Sequence, residues 1–129
     1  INGSLILISN DYEMELIMKM TGLCKKELLN LTKTIITTLG EKGSIVSNDD
    51  NDIFIPAAKV TDIIDPTGAG DAFRAGLLKG IVMGKDIETS AKIGAVCAAY
   101  AIERYGTQEH SFSYNEFLTR YRNNFGDTL

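Results

Sequence analysis

Short apolar runs alternate with amphipathic stretches along the first half of the chain. Residues 5–9 and 34–38 are rich in Leu, Ile and Thr, and runs of this kind are typical of strands buried inside a sheet. Between them, the spacing of apolar residues predicts two helices, over 12–20 and 25–31. Strands that alternate with helices in this way indicate an α/β fold with a mostly parallel sheet flanked by helices.

The first of these helices has a start signal and an apolar face. Asn10 or Asp11 can cap it, because a short polar side chain accepts hydrogen bonds from the N–H groups of the first turn. Leu16, Ile17 and Met20 fall on one side of the helix. We expect that side to face the core.

A small hairpin is predicted next. Residues 44–47 and 53–55 have strand composition and flank the polar stretch 48–52, which has the composition of a hairpin loop. We expect these two strands to be antiparallel. The segment 60–64 then approaches a glycine-rich turn at 68–70.

The rest of the chain is predicted to be helical. A helix over about 71–83 is followed by a longer one, which Asp86 caps and Gly106 ends. The last helix has its own start signal, because Ser113 and Glu116 have the spacing of a capping box.

Composition and charge narrow the class of protein. The chain has 129 residues, of which 44% are hydrophobic and 23% charged, so we expect residues 1–129 to form a single unit. A net charge of -4 with scattered Lys and Arg argues against nucleic acid as a partner. The apolar runs are too short to span a bilayer, so no membrane partner is expected.

Two further features concern the setting of the chain. Cys24 and Cys97 lie in no metal-binding or disulfide pattern, which predicts a reduced, cytoplasmic environment. Residue 1 is Ile rather than an initiator Met, and the apolar run at 5–9 has too little chain before it to cover a buried strand. We therefore expect the chain to begin inside a larger fold. The sequence does not decide between a monomer and a homo-oligomer.

The strongest chemical signal is a glycine-rich turn that opens a helix, within residues 65–73 (DPTGAGDAF). Gly68, Ala69 and Gly70 have little or no side chain, so their N–H groups can converge on an anion at the positive end of the helix. Asp71 then places a carboxylate beside a bound phosphoryl group, where it can accept a proton from an attacking alcohol. The alternative is a purely structural turn in which Asp71 only begins a helix.

This stretch resembles the Asp-Thr-x-Gly-Ala-Gly-Asp signature of the ribokinase-like, or PfkB-type, carbohydrate and nucleoside kinases. Pro66 stands where this signature has Thr, a place at which the family varies, whereas Gly68, Ala69, Gly70 and Asp71 all match it. The resemblance implies a ribokinase-like α/β fold, of which this chain would be the C-terminal, ATP-binding and catalytic part. It also implies that the first three matching residues form the anion hole and that Asp71 is the general base.

Asn10 and Glu13 resemble the family's Asn-x-x-Glu motif near its Mg²⁺ and phosphate site. They lie three apart across a helix start, so both can face the carboxyl edge of the sheet, where open α/β sheets bind ligands. Oxygen ligands of this kind usually hold Mg²⁺ through water. The alternative is a capping box, in which Asn10 caps the helix and Glu13 closes the box.

Residues 38–43 (TLGEKG) resemble the family's Thr-x-Gly-x-x-Gly nucleotide loop. Gly40 and Gly43 would let the backbone approach the phosphates and ribose closely, and Thr38 would add a polar contact. Thr67, beside the glycine-rich turn, is a further expected contact to the nucleotide. The alternative for the loop is a plain turn between a strand and the hairpin.

Residues 98–108 resemble the family's last long helix and the turn that borders the adenine pocket. Ala95 stands where many sugar-specific members have Asn, so it is assigned to the pocket without a specific hydrogen bond. Gly106, Thr107 and Gln108 are similar to the same positions of bacterial and archaeal adenosine-kinase-like members. This likeness favours a nucleoside acceptor.

The resemblance as a whole implies an ATP- and Mg²⁺-dependent phosphotransferase that acts on a primary alcohol of a sugar or nucleoside. The isolated chain is expected to be inactive, because the lid and most acceptor contacts would lie in the missing N-terminal half. The alternative from another class is a non-catalytic nucleotide-binding or regulatory module. Asp71 argues against that alternative, because a pure binding module needs no carboxylate beside bound phosphate.

Overall fold

The computed structural model describes residues 6–48, 51–60, 68–103 and 113–126. The chain forms two compact units, residues 1–56 and residues 57–129. The expectation that residues 1–129 act as one part of a larger domain stays a prediction. Within the described ranges, no helix combines the length and apolar character that crossing a membrane requires.

The first unit is a four-stranded sheet with two helices. The strands occur in the spatial order β1, β2, β3, β4. Strands β1 and β2 pair in parallel through a crossover that contains both helices, whereas β2 with β3 and β3 with β4 pair antiparallel. The elements are β1 (Ile6–Asn10), α1 (Asp11–Thr21), α2 (Lys25–Thr32), β2 (Thr34–Thr38), β3 (Ser44–Ser47) and β4 (Asp52–Ile55).

The α/β class and the small antiparallel hairpin are therefore confirmed, and the hairpin is β3 with β4. In the part of the sheet that the structure describes, one of the three pairings is parallel. The β-branched residues of β2 explain its central place, because Ile35 and Ile36 are fully buried, one on each face of the pleated strand.

The core of the first unit includes Met14 and Ile35 together with Leu28 and Leu29 of α2, and Ile17 packs against this cluster. The expectation that Leu16 and Met20 face the core is wrong, because their side chains are 47% and 78% exposed. Met14, Ile17 and Met18 fall at i, i+3 and i+4, so they form an apolar stripe of their own on α1. Both stripes have helical spacing, and packing against α2 and the sheet selects the one that contains Met14.

The second unit contains three helices: α3 (Ala69–Val82), α4 (Ile87–Glu103) and α5 (Tyr114–Phe125). Helices α3 and α4 approach closely where they have glycines. A Cβ built on Gly94 would lie 2.7 Å from the carbonyl oxygen of Phe73, and one built on Gly80 would lie 2.6 Å from Ser90 Oγ. Gly94 and Ser90, two small residues of α4, therefore serve helix–helix packing.

Helix α5 begins at the predicted capping box. Ser113 Oγ accepts from the N–H of Glu116 at 3.1 Å, and Glu116 Oε1 accepts from the N–H of Ser113 at 3.2 Å. Phe117 and Tyr121 are buried in a cluster that includes residues of α4 and Ala58. The predicted segment 60–64 and the predicted end of the long helix at Gly106 lie outside the described residues, apart from residue 60.

Candidate active site

The glycine-rich turn forms the amino end of α3. Gly68 is the N-cap residue and has a left-handed backbone with φ of 86°, and the N–H of Ala72 donates to the Gly68 carbonyl at 2.9 Å. The N–H groups of the first helical residues, Ala69, Gly70 and Asp71, have no intrahelical acceptor. Because Gly68 has no side chain, it cannot cap them, in contrast to Asn10 and Ser113 at the starts of α1 and α5.

The surface of this turn is open among the described residues. A Cβ added at Gly68 or at Gly70 would meet nothing within 4 Å. Gly68 needs to be glycine for conformational reasons, since its positive φ is unfavourable for other residues. Gly70 has no such requirement, because it lies in regular helix. An anion can therefore approach the N–H groups at the amino end of α3 closely.

Asp71 is the third residue of α3, and its side chain is 88% exposed. Its Oδ1 lies 3.4 Å from Nη1 of Arg74, a long and solvent-accessible ion pair of i,i+3 type. The carboxylate is thus next to the amino-terminal N–H groups and accessible from solvent. This is the arrangement expected of a base that must meet a substrate hydroxyl. Thr67, a further nucleotide contact that the sequence predicts, lies outside the described residues.

In the first unit, Asn10 and Glu13 form a complete capping box at the start of α1. Asn10 Oδ1 accepts from the N–H of Glu13 at 2.6 Å, and Glu13 Oε1 accepts from the N–H of Asn10 at 2.9 Å. The structural role considered for this pair is therefore present. It does not exclude a second role, because a carboxylate has about four acceptor sites and one hydrogen bond uses only one of them.

The residues near this helix start fit Mg²⁺ only in a water-mediated way. Within the described residues, no group of three or more His, Cys, Asp or Glu side chains could hold a metal ion. Mg²⁺ in phosphoryl-transfer sites commonly keeps several waters and is held by one or two carboxylates together with substrate phosphates. Glu13 can serve as such a carboxylate, and Asn10 can accept from a metal-bound water.

Of the three residues assigned to the nucleotide loop, Thr38 is the last residue of β2, and Gly40 and Gly43 lie in the loop after it. Gly40 has φ of 63° and begins a short 3₁₀ turn over residues 40–42, and Gly43 has φ of 112° and ψ of -142°. The Leu39 N–H donates to the Gly43 carbonyl at 2.8 Å, which closes the loop. Both glycines are required by the backbone conformation, so the loop shape itself explains them.

Two of the predicted motifs meet at one edge of the sheet in the first unit. Asn10 ends β1, Thr38 ends β2, and the two residues are register partners in the parallel pair. Thr38 Oγ1 lies 3.5 Å from the Ser9 carbonyl oxygen, at the outer limit of a hydrogen bond. The capping box and the Gly40–Gly43 loop therefore follow adjacent strands at their carboxyl ends, where α/β sheets commonly bind ligands.

Ala95 lies on α4 and is 8% exposed. Its small side chain is part of the buried face of that helix, together with Ala91 and Ala99. The turn at Gly106, Thr107 and Gln108, which was expected to border adenine, lies outside the described residues. The structure thus places Ala95 on a packed helix, and its contact with a nucleotide stays a prediction.

Sequence reasoning did not single out Arg120 and Glu103. The two side chains form a close ion pair between α5 and α4, with Arg120 Nη1 2.6 Å from Glu103 Oε1. No local pattern marks such a pair, because its members lie 17 positions apart and meet only when the two helices pack.

Comparison with known proteins decides the family. The pattern described as "pfkB family carbohydrate kinase" matches residues 1–113. The chain belongs to the pfkB family. Its ribokinase-like α/β fold is confirmed by solved structures, of which a nucleoside kinase from Burkholderia thailandensis in complex with inosine has a TM-score of 0.91 and 34% identity. That alignment covers 97% of this chain and 42% of the kinase.

Other pfkB-family relatives differ in the substrate class that their names state. A nucleoside kinase from Methanocaldococcus jannaschii is 35% identical over 114 residues, which are 88% of this chain and 38% of that protein. A deoxyribokinase from Salmonella typhimurium is 35% identical over 88 residues, which are 66% of this chain and 28% of the enzyme. The Burkholderia kinase has also been solved with ADP and inosine, at a TM-score of 0.90 and 35% identity, over 96% of this chain and 39% of the kinase.

These relatives are nucleoside and sugar kinases. Membership of the pfkB family therefore relates this chain to kinases. The chain spans about two fifths of the length of the two nucleoside kinases.

Proposed function

We propose that the full-length protein is an ATP-dependent phosphotransferase that moves the γ-phosphate of ATP to a primary alcohol of a nucleoside or sugar. The observation that carries this proposal is the amino end of α3. There, Gly68 leaves the first N–H groups of the helix without a side-chain cap, and the exposed Asp71 carboxylate stands beside them. An anion site and a base are thus adjacent in one helical turn.

Each residue of this turn has a role in the proposed reaction. Asp71 accepts the proton of the acceptor hydroxyl as its oxygen bonds to the γ-phosphorus, and the bond from phosphorus to the bridging oxygen breaks to release ADP. The N–H groups of residues 68–70 stabilise the negative charge that develops on the phosphoryl oxygens. When bound, Mg²⁺ supplies charge neutralisation on the phosphates.

The remaining nucleotide contacts are assigned to two groups of residues. Thr38 ends β2, and Gly40 and Gly43 lie in the loop after it; a Cβ built on Gly40 would meet nothing within 4 Å, so we assign this loop to the phosphates and ribose. Thr67 and Ala95 belong to the second unit, and we assign them to the phosphate side and the adenine side of the nucleotide. Asn10 and Glu13 are assigned to Mg²⁺ through water.

A nucleoside is the favoured acceptor, with an adenosine-like purine nucleoside as the first candidate. Support comes from the Methanocaldococcus and Burkholderia relatives, both named nucleoside kinases, and the latter solved with the purine nucleoside inosine. The deoxyribokinase, a sugar kinase, has a sequence identity to this chain similar to that of the nucleoside kinases, so a sugar is the second candidate acceptor.

We assign the reaction to the cytoplasm, because neither Cys24 nor Cys97 lies in a disulfide pattern.

A screen of ATP consumption tests this proposal. The full-length protein is incubated with ATP, Mg²⁺ and one acceptor at a time from a set that contains adenosine, inosine, other nucleosides, ribose, fructose and deoxyribose. We expect turnover with a nucleoside above the rate without acceptor, and its loss in the Asp71→Asn variant. Tight ATP binding without turnover on any acceptor would instead favour a non-catalytic nucleotide-binding module.

A further inference from the structure

Arg120 on α5 holds the carboxyl end of α4 through a bidentate ion pair. Its Nη1 donates to Glu103 Oε1 at 2.6 Å, and its Nη2 donates to Glu103 Oε2 at 2.7 Å. Both side chains are only 17% exposed. A bidentate pair of guanidinium and carboxylate fixes orientation as well as distance. Glu103, the last residue of α4, is therefore held in one place relative to α5.

The same guanidinium group also holds the backbone at Lys59. Arg120 Nη2 donates to the Lys59 carbonyl at 2.8 Å, and Asn124 Oδ1 accepts from the Lys59 N–H at 2.7 Å. Asn124 in turn donates to the Arg120 carbonyl at 2.9 Å. Side chains of α5 thus satisfy both hydrogen-bonding groups of the Lys59 backbone, as a neighbouring strand would in a sheet.

Aromatic side chains add rigidity to this cluster. The Arg120 guanidinium carbon lies 4.4 Å from the centre of the Tyr100 ring, within the range of a cation–π contact. Tyr100 stacks on Phe117 with 6.4 Å between ring centres. The hydrogen bond with Glu103 raises the pKa of Arg120.

Arg120 joins the backbone at Lys59 to the end of α4 at Glu103, and both are connected along the chain to residues of the proposed nucleotide site. Lys59 lies a short way before Gly68 in the chain, and Glu103 ends α4, the helix that carries Ala95. We propose that Arg120, assisted by Asn124, is a positioning residue for nucleotide binding, which sets the place of the Lys59 segment relative to α4. This inference rests on the proposed function, since it requires a nucleotide between the glycine-rich turn and α4.

ADP binding tests this role without requiring turnover. Calorimetric titrations with ADP are made on the full-length wild type, Arg120→Met and Arg122→Met, at a temperature where all three are folded. Arg122 is exposed on the same helix, so its variant removes an equal charge outside the cluster. We expect Arg120→Met to weaken ADP affinity roughly 3- to 30-fold and Arg122→Met to leave it unchanged. Arg120→Lys should fall between them, because Lys keeps the charge but not the two-pronged geometry.

Steady-state kinetics separate positioning from a loss of folded protein. The inference predicts a raised KM for ATP in Arg120→Met with an unchanged KM for the acceptor, whereas partial unfolding lowers only the apparent kcat. If Arg120→Met fails to fold, Asn124→Ala removes the Lys59 N–H contact but keeps the ion pair, and a smaller loss of ADP affinity is expected.

Two results would overturn the inference, and they differ in what else they affect. Unchanged ADP affinity in the folded Arg120→Met protein, with only a lower melting temperature, would make the cluster purely structural and leave the proposed function intact. Failure of the wild type to bind ADP at all would remove the proposed function and the inference with it.

Discussion

Gly70 and Gly76 lie on the same helix less than two turns apart, yet their surroundings are opposite. A Cβ built on Gly70 meets nothing within 4 Å among the described residues, whereas one built on Gly76 would lie 2.8 Å from Cys97 Sγ and 2.9 Å from Gly94 Cα. Packing against α4 explains the glycine at 76. Packing does not explain the glycine at 70, but the close approach of a phosphate would.

Gly70→Val tests this difference in the full-length protein. The branched side chain would occupy the space that a phosphate needs, so we expect ATP affinity to fall by roughly tenfold or more, which corresponds to about 1.4 kcal/mol. Folding should be little affected, because Gly70 has a regular helical backbone and glycine is itself a poor helix former by about 1 kcal/mol. Calorimetric titration with ATP and Mg²⁺ measures the first effect, and thermal melting measures the second.

Gly76→Val is the matched control for this experiment. Its side chain would overlap Cys97 and the backbone of α4, so it should destabilise the protein by about 1–3 kcal/mol. Nucleotide affinity of the folded fraction should stay close to that of wild type. An unchanged ATP affinity in a folded Gly70→Val protein would remove the anion-site assignment.

Local signals in the sequence predicted much of this fold. The capping boxes at Asn10 and Ser113 could be recognised because both partners of each box lie three residues apart. The buried side of α1 could not be predicted, because its two apolar stripes have the same helical spacing. Only the packing partners of the helix decide between Met14 and Met20, and these lie elsewhere in the chain.

The same distinction applies to the candidate site. The turn from Gly68 to Asp71 is contiguous, so its open backbone and adjacent carboxylate could be predicted from four successive residues. The pairing of Arg120 with Glu103 depends on how α4 and α5 pack, and apolar contacts elsewhere on both helices determine that packing. Interactions of this kind become visible only in the folded chain.

Glu13→Gln separates the two roles considered for the capping box. Gln at the third helical position can still accept from the Asn10 N–H, so the free energy of unfolding should change by less than about 0.5 kcal/mol. The carboxylate charge is lost, and the proposed Mg²⁺ role then predicts a severalfold higher Mg²⁺ concentration for half-maximal activity. Titration of full-length kinase activity with Mg²⁺, beside a chemical denaturation curve, gives both quantities.

Asn10→Ala should lower the free energy of unfolding, in contrast to Glu13→Gln. Loss of an N-cap side chain costs about 0.5–2 kcal/mol, so this variant should unfold more easily. If Glu13→Gln has the wild-type Mg²⁺ requirement, Glu13 acts only in the capping box.

Asp86 should make the stability of α4 dependent on pH. Its Oδ1 accepts from the Thr89 N–H at 2.7 Å, and hydrogen bonding from Thr89 lowers the pKa of Asp86. A lowered folded-state pKa means that the contribution is present above the unfolded value of about 3.9 and is lost as the pH falls through the folded value. We expect Asp86→Ala to destabilise the full-length protein by about 1 kcal/mol at neutral pH and by less below about pH 4.

Asp86→Asn is the control for this pH effect, because Asn caps helices about as well as Asp and does not titrate. It should match wild type at neutral pH and lose less stability in acid. Denaturant unfolding at several pH values measures these differences. A constant difference between wild type and Asp86→Ala down to about pH 2 would contradict the assigned cause of the pKa shift.

The central claim is that Asp71 is the general base of a phosphoryl transfer. Asp71→Asn keeps the size of the side chain and its place in the first turn of α3 but removes the basic group. Stability should change by no more than about 1 kcal/mol, since Asn and Asp have similar effects near helix starts. ATP affinity should be kept or rise slightly, because a negative charge beside the triphosphate is removed. Glu15→Gln on the exposed side of α1 is a control for the loss of one carboxylate.

The decisive measurement is kcat of full-length Asp71→Asn with the best acceptor from the screen, relative to wild type. A positioned base contributes about 10²–10⁴-fold, or roughly 3–5 kcal/mol of barrier, so the account predicts a loss of that size with ATP affinity retained. A folded Asp71→Asn enzyme that keeps more than about a tenth of wild-type kcat would contradict the base role.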